Sequence, residues 1–94
     1  MNIEEIKLTV LNESGLHTRA AALIVDTANK YKSEITIEKD GSTADARSIM
    51  GILILAAQQN SEILVKASGV DAKEAVAAIK DLLCTRFGEI DKDE

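Results

Sequence analysis

The only histidine of this 94-residue chain, His17, is followed two residues later by Arg19. Imidazole is a competent nucleophile near neutral pH because much of it is unprotonated, and a phosphoryl group on its nitrogen leaves readily. The guanidinium of Arg19 could hydrogen-bond phosphate oxygens, and Gly15 would let the backbone turn tightly before the histidine. These residue types predict reversible capture of a phosphoryl group on His17. A polar histidine without chemistry, beside a solvated arginine, is the alternative that the spacing alone leaves open.

His17 lies at the junction between a glycine-containing loop and the first turn of a predicted helix. The first N–H groups of a helix lack internal partners and carry the positive end of its dipole. We therefore expect the backbone of Thr18 and Ala20 to offer hydrogen-bond donors to a phosphate on His17. No carboxylate at fixed spacing and no Ser/His/Asp set accompanies the histidine. A hydrolase that uses His17 as its base therefore has weaker support.

A second candidate site is Ser48, a hydroxyl beside the basic Arg47 at the start of another predicted helix. A phosphate on Ser48 would be favoured electrostatically at a helix N-terminus, although an ordinary N-cap serine explains the same residue type. The apolar residues that follow exceed what one short helix needs to bury, which indicates a docking surface, with core filling as the competing account. The expected docking residues are Leu16, Arg47, Ile49, Met50 and Leu53.

The charge and composition exclude several classes of function. The chain has 11 Lys and Arg against 16 Asp and Glu, a net charge of −5, and only two aromatic residues. It therefore lacks both a basic field for phosphates and platforms for base stacking, so we expect no nucleic-acid partner. One cysteine and one histidine leave no structural zinc set, and we expect neither a metal nor a cofactor.

The N-terminal residues favour a protein that is neither secreted nor inserted in a membrane. Acidic residues stand where a secretion signal would carry basic ones, and no apolar run approaches the ~18 residues of a membrane span. We therefore expect a cytoplasmic protein, acting as a monomer. Cys84 cannot form an internal disulfide because it is the only cysteine, and its apolar surroundings at helical spacing predict a core or semi-buried filler.

Hydrophobic periodicity predicts seven elements that position these sites. Residues 6–11 alternate as a half-buried strand, and residues 33–46 read as two strands joined at Lys39, Asp40, Gly41 and Ser42. Residues 61–68 form a fourth strand that ends at Gly69. A helix begins near His17, and a second, which could also be a buried strand, follows Ser48. Asp71 and Glu74 resemble a capping box for a last helix with an apolar stripe that ends at Phe87.

The element order β-α-β-β-α-β-α predicts an α+β fold, an open-faced β-sandwich. Helices with a single apolar stripe are most economically buried by packing all three on one face of a four-stranded antiparallel sheet. Residues 1–88 would form this one domain, and the acidic residues 89–94 would be a frayed tail. Many unrelated proteins share such a sandwich, so the fold alone does not decide the function.

Residues 15–21 (GLHTRAA) and 48–51 (SIMG), about 30 residues apart, resemble the two motifs of the HPr family. These are the histidine-containing phosphocarriers of the bacterial phosphoenolpyruvate-dependent sugar phosphotransferase system. The likeness covers about residues 3–88, and the family fold has the element order predicted above. One departure is Ala20, which stands directly after Arg19 where the family usually has proline; alanine should keep the helix while adding an N–H and freeing the backbone.

The resemblance implies that His17 accepts a phosphoryl group on Nδ1 from phospho-enzyme I and passes it to enzyme IIA domains, with Arg19 and the helix amides holding the phosphate. The protein would then be a relay, and turnover would belong to its partner enzymes. By the same resemblance, Ser48 is a regulatory site for an HPr kinase/phosphorylase, and phosphate there can recruit a transcriptional regulator.

Other functions remain open from the sequence. A relay in nitrogen-related regulation or in a dihydroxyacetone kinase system would use the same histidine chemistry with different partners. A regulatory module that acts by protein–protein binding, without phosphorylation, belongs to a different class; it predicts that His17→Ala changes no activity.

Overall fold

Residues 2–89 are described in a computed structural model, in which a single sheet carries all helices on one face. The elements are β1 (Asn2–Thr9), α1 (Thr18–Ala28), β2 (Glu34–Lys39), β3 (Ser42–Asp45), α2 (Ile49–Leu55), β4 (Glu62–Gly69) and α3 (Ala72–Cys84). The four strands are antiparallel, in the order β1-β4-β2-β3. The predicted α+β open-faced sandwich and its element order are confirmed, and the segment after Ser48 is a helix.

The register of the sheet places one apolar face against the helices. Ile37 stands opposite Val65 and Ile35 opposite Ala67 across β2 and β4, and all four side chains are buried. Because side chains alternate along a strand, this register fixes which face is covered. The tight turn between β2 and β3 has positive φ at both central residues, Asp40 (52°) and Gly41 (85°), as a hairpin of this length requires.

Alanines allow the two long helices to pack closely on the sheet and on each other. The buried residues of α1 are Ala20, Ala21, Ile24 and Ala28, and those of α3 are Ala72, Ala75, Val76, Ile79 and Leu83. Their spacing of three and four residues confirms the apolar stripes read from the sequence. Tyr31 lies beyond the end of α1 and packs against the core from the following loop.

The expected start of β1 and the expected burial of Cys84 are both wrong. Strand β1 begins at Asn2 rather than Ile6, because its start is fixed by backbone pairing with β4, up to Gly69, and not by burial; Ile3 is 60% exposed. Cys84 is exposed at the last turn of α3 and does not fill the core.

The capping box expected at the start of α3 does not form. Asp71 occupies the N-cap position, but its side chain makes no capping hydrogen bond. Its carboxylate instead accepts hydrogen bonds from the backbone of Lys32 and from Ser33, 38 or 39 residues away in sequence.

The chain reverses after α3 instead of continuing the helical stripe to Phe87. Helix α3 ends at Cys84, and both Arg86 and Phe87 adopt positive φ values of 55° and 56°. Such angles are unfavourable for residues other than glycine, and the burial of Phe87, which is 2% exposed, offsets that cost. Residues 90–94 of the expected acidic tail lie outside the described residues, whereas Glu89 is placed. None of the helices within residues 2–89 is long and apolar enough to cross a membrane.

Candidate functional site

His17 is the N-cap of α1 and presents its imidazole at the surface. Its backbone is extended (φ −81°, ψ −174°), and its side chain is 38% exposed. Nδ1 lies 3.2 Å from the carbonyl oxygen of Gly15, and Nε2 lies 3.2 Å from Oε2 of Glu89. Each ring nitrogen therefore faces an acceptor, while part of the ring is open to a partner.

The loop before His17 is held by the segment that follows α2. Gly15 has φ +68°, and a Cβ there would stand 2.5 Å from the carbonyl oxygen of Ala57, so no larger residue fits without moving backbone. The N–H of Leu16 donates to that same oxygen at 2.9 Å. Leu16 is only 4% exposed and belongs to the hydrophobic core, so its predicted place on a docking surface is wrong.

The N-terminus of α1 keeps its donors available. The first helical hydrogen bond runs from the N–H of Ala21 to the carbonyl of His17 at 2.8 Å, and no side chain caps the helix. Within residues 2–89, the N–H groups of Thr18, Arg19 and Ala20 have no acceptor. Ala20 buries its methyl group completely and leaves the helix unbroken, as expected from its helix propensity.

Arg19 brings a permanent positive charge to the same end of α1. Its side chain is exposed, and it forms no ion pair with any residue between 2 and 89. The guanidinium lies beside the backbone of Gly88, where an added Cβ would be 3.8 Å from Nη2. An exposed guanidinium without a carboxylate partner is available to an incoming anion.

Two residues beside the histidine carried no recognisable signal in the sequence. Asn12 is 1% exposed, and its Nδ2 donates to the carbonyl of Gly15 at 2.7 Å and to Oε2 of Glu89 at 3.3 Å. Glu89 was assigned to the acidic tail. The two side chains are separated by 77 residues, so no local spacing could have associated them.

Ser48 is confirmed as the N-cap of α2. Its Oγ accepts a hydrogen bond from the N–H of Gly51 at 3.0 Å, and the residue is half-buried. A Cβ at Gly51 would lie 3.1 Å from that oxygen, so the glycine leaves space around the serine hydroxyl.

Arg47 serves the internal structure of the protein. Its Nη2 donates to the carbonyl oxygens of Ala28 (3.0 Å), Tyr31 (2.7 Å) and Ser33 (3.1 Å). These carbonyls lie at and just beyond the C-terminus of α1, where a cation is electrostatically favourable. Arg47 is therefore engaged within the protein, and its expected role in docking stays a prediction.

The expected apolar docking surface is partly exposed. Ile49 is 40% and Met50 67% exposed, whereas Leu53 is half-buried and packs against the core. Ile54, which was not assigned to this surface, is 74% exposed. We call Ile49, Met50 and Ile54 the α2 apolar surface.

Comparison with known proteins identifies the family. Residues 4–85 match the family model PTS-HPr, described as the PTS HPr component phosphorylation site. The chain is 42% identical over 85 residues to the phosphocarrier protein HPr of Xylella fastidiosa, covering 90% of this chain and 96% of that protein.

Solved structures agree with the sequence match. HPr-C-His from Thermoanaerobacter tengcongensis is 42% identical and superposes with a TM-score of 0.89, covering 93% of this chain and 98% of that one. An HPr dimer from the same organism is 45% identical, with a TM-score of 0.71 and coverage of 92% and 99%. Together with the β-α-β-β-α-β-α sandwich, these matches show that this chain belongs to the HPr family of phosphocarrier proteins.

Proposed function

We propose that this chain is a cytoplasmic relay that accepts a phosphoryl group on His17 from phospho-enzyme I and passes it to enzyme IIA domains. The observation that carries the proposal is the half-exposed imidazole of His17 at the N-terminus of α1, whose first N–H groups have no acceptor within residues 2–89. Membership of the HPr family supports the phosphocarrier chemistry.

Three groups would hold the transferred phosphate. The backbone N–H groups of Thr18 and Ala20 supply neutral donors, and the guanidinium of Arg19 supplies a charged one. Because Ala20 replaces the proline usual in the family, it contributes an N–H that proline lacks. The protein itself would need no cofactor, and catalytic turnover would belong to the partner enzymes.

Phosphoryl uptake tests the relay directly. We expect the protein, mixed with enzyme I, phosphoenolpyruvate and Mg²⁺, to gain one acid-labile, alkali-stable phosphate by intact mass and ³¹P NMR. His17→Ala should abolish this uptake completely and leave the circular dichroism spectrum and thermal midpoint unchanged, because an N-cap without a capping hydrogen bond contributes little to stability. Phosphate retained by a folded His17→Ala protein would contradict the assignment.

We further propose that Ser48 is a regulatory phosphorylation site, used by an HPr kinase/phosphorylase, on a surface that meets acidic partners and a transcriptional regulator. The exposed α2 apolar surface begins at the next residue. Negative charge at Ser48 would then slow docking with partners whose own surface is acidic.

Ser48→Asp should lower the rate of phosphoryl transfer from enzyme I by about tenfold, because repulsion across an interface costs on the order of 1 kcal/mol or more. The rate is measured by quenched-flow mass analysis. Ser42→Asp, which adds the same charge at the exposed first residue of β3, is the matched control. Equal rates for the two variants would show that Ser48 lies outside the docking surface.

A regulatory module that acts by protein–protein binding is the second candidate, favoured by the exposure of the α2 apolar surface. Under that function, His17→Ala would retain partner binding and all activity. We propose a monomer as the acting species, although an HPr from Thermoanaerobacter tengcongensis has been solved as a dimer; analytical ultracentrifugation at micromolar concentration distinguishes the two states.

A further inference from the structure

His17 and three groups around it form a closed ring of polar contacts. Nδ1 of the imidazole faces the carbonyl of Gly15, and Nε2 faces the carboxylate of Glu89, each at 3.2 Å. The buried amide of Asn12 donates to both of these acceptors, at 2.7 Å and 3.3 Å. The ring therefore links both imidazole nitrogens through a single side chain.

The orientation of the Asn12 amide is fixed by this arrangement. Its nitrogen has two acceptors, and reversing the amide would place Oδ1 against both of them. Oδ1 has no partner among residues 2–89 although it is buried, a situation that ordinarily costs about 1–3 kcal/mol. Asn12 thus uses only its donor end, and that end holds the two acceptors that face the histidine.

We propose that Glu89 is a positioning residue that keeps a proton on Nε2 of His17 and so presents Nδ1 as the nucleophile. This inference rests on the proposed phosphoryl relay and deepens it. A neutral imidazole has one proton, which goes to the nitrogen with the stronger acceptor. A charged carboxylate accepts a stronger hydrogen bond than a neutral carbonyl, so the proton stays between Nε2 and Glu89. Nδ1 then keeps its lone pair, and rotation of the ring away from the Gly15 carbonyl, 3.2 Å from Nδ1, would present that lone pair to the donor.

The same carboxylate balances the charge that transfer creates. The lone pair of Nδ1 forms the new N–P bond, the bond between phosphorus and the donor enzyme breaks, and the electron pair of that bond returns to the donor. Because Nε2 keeps its proton, the phosphorylated ring of His17 carries a positive charge. The carboxylate of Glu89, 3.2 Å from Nε2, faces that charge. In the second transfer a lone pair of the next acceptor forms a bond to phosphorus, the N–P bond breaks, and its electron pair returns to Nδ1.

The fold holds Glu89 at this place through the reversal that follows α3. Phe87 is buried, and the N–H of Glu89 donates to the carbonyl of Arg86 at 2.9 Å. The side chain of Glu89 is only 15% exposed, which limits competition from water for its carboxylate. Its position is thus fixed by packing as well as by the contacts to Asn12 and His17.

The test compares Glu89→Gln with Glu62→Gln, which removes one carboxylate from an exposed position on β4. The first readout is ¹⁵N-edited NMR of the unphosphorylated protein, where the single histidine gives an unambiguous ring signal. We expect Glu89→Gln to speed solvent exchange of the Nε2 proton by about fivefold and to lower the Nε2–H tautomer population, with no change in Glu62→Gln.

The second readout is the rate of phosphoryl uptake from enzyme I, which should fall about fivefold in Glu89→Gln and stay at the wild-type value in Glu62→Gln. Unchanged ring signals, or an uptake rate equal to or above wild type in Glu89→Gln, would overturn the positioning role. Lack of uptake by the wild-type protein would instead contradict the relay itself, so the two failures are distinguishable.

Discussion

The two ends of helix α1 are built in opposite ways. At the N-terminus, His17 caps nothing with its side chain, the first N–H groups have no acceptor within residues 2–89, and Arg19 has no ion pair there. At the C-terminus of α1, by contrast, the guanidinium of Arg47 donates hydrogen bonds to three carbonyl oxygens in and after the last turn. One arginine is therefore free to bind an anion, while the other stabilises the fold.

In addition to Arg47, Asp71 also binds the segment that follows α1. Its carboxylate accepts hydrogen bonds from the N–H of Lys32 at 2.8 Å and from the N–H and hydroxyl of Ser33 at 2.9 Å and 2.6 Å. Arg47 donates a hydrogen bond to the carbonyl oxygen of Ser33, so the polar groups of this buried residue are all hydrogen-bonded to two charged side chains. At the C-terminal end of α1, the charged side chains of Asp71 and Arg47 are bound within the fold. At the N-terminal end, the exposed side chain of Arg19 has no ion pair with any residue between 2 and 89.

Arg19→Met should give the largest effect and affect function alone. We expect the rate of phosphoryl uptake to fall about 100-fold, the usual order for losing a charged donor to developing phosphate charge. The free energy of unfolding in urea should change by less than about 0.5 kcal/mol, because the side chain is exposed and has no ion pair among the described residues 2–89. A loss of stability as large as that of Arg47→Met would remove the contrast between the two ends.

Arg47→Met should give the converse result. Removing a charged donor from three carbonyls should lower the free energy of unfolding by about 2 kcal/mol, measured in urea. Folded protein should take up phosphoryl groups at close to the wild-type rate. Arg19→Met is the matched control because it makes the same chemical change at the other end of α1. A strong loss of uptake in folded Arg47→Met protein would restore Arg47 to the docking surface.

The comparison also separates what the sequence could predict from what it could not. The β2–β3 turn, the Ser48 cap and the alanine-rich stripes depend on residues within a few positions of one another, and these predictions are confirmed. Asp71 was correctly placed at the start of α3, but its carboxylate bonds to Lys32 and Ser33. Periodicity identifies the element and carries no information about a partner 38 residues away.

The candidate site shows the same division. The place of His17 and Arg19 at the start of α1 was predictable from the sequence, whereas their roles in phosphoryl chemistry stay a prediction. Glu89 and Asn12 were not predictable, because an acidic residue near a C-terminus and a polar residue in a loop are ordinary features. The chain turns back toward the histidine through positive φ values at Arg86 and Phe87. Neither residue is a glycine, so no residue type in the sequence signals these backbone angles.

Asp71→Asn tests whether the charge on Asp71 stabilises the fold at the C-terminal end of α1, through the pH dependence of the free energy of unfolding. Hydrogen bonds from the Ser33 hydroxyl, then from the Lys32 N–H, hold the pKa of Asp71 below its ordinary value of 3.8. Because the folded pKa is the lower one, the ionised carboxylate stabilises the fold above the unfolded pKa, and this contribution is lost as pH falls through the folded pKa. We therefore expect wild type to exceed Asp71→Asn in urea stability at pH 7, with the difference shrinking as pH falls below the ordinary pKa of 3.8 and vanishing below the lowered folded pKa. If the difference in free energy of unfolding between the two proteins were constant from pH 7 to pH 2, the charge on Asp71 would contribute nothing to stability. Arg47 would then be the one charged side chain that distinguishes the C-terminal end of α1 from its N-terminal end among the described residues.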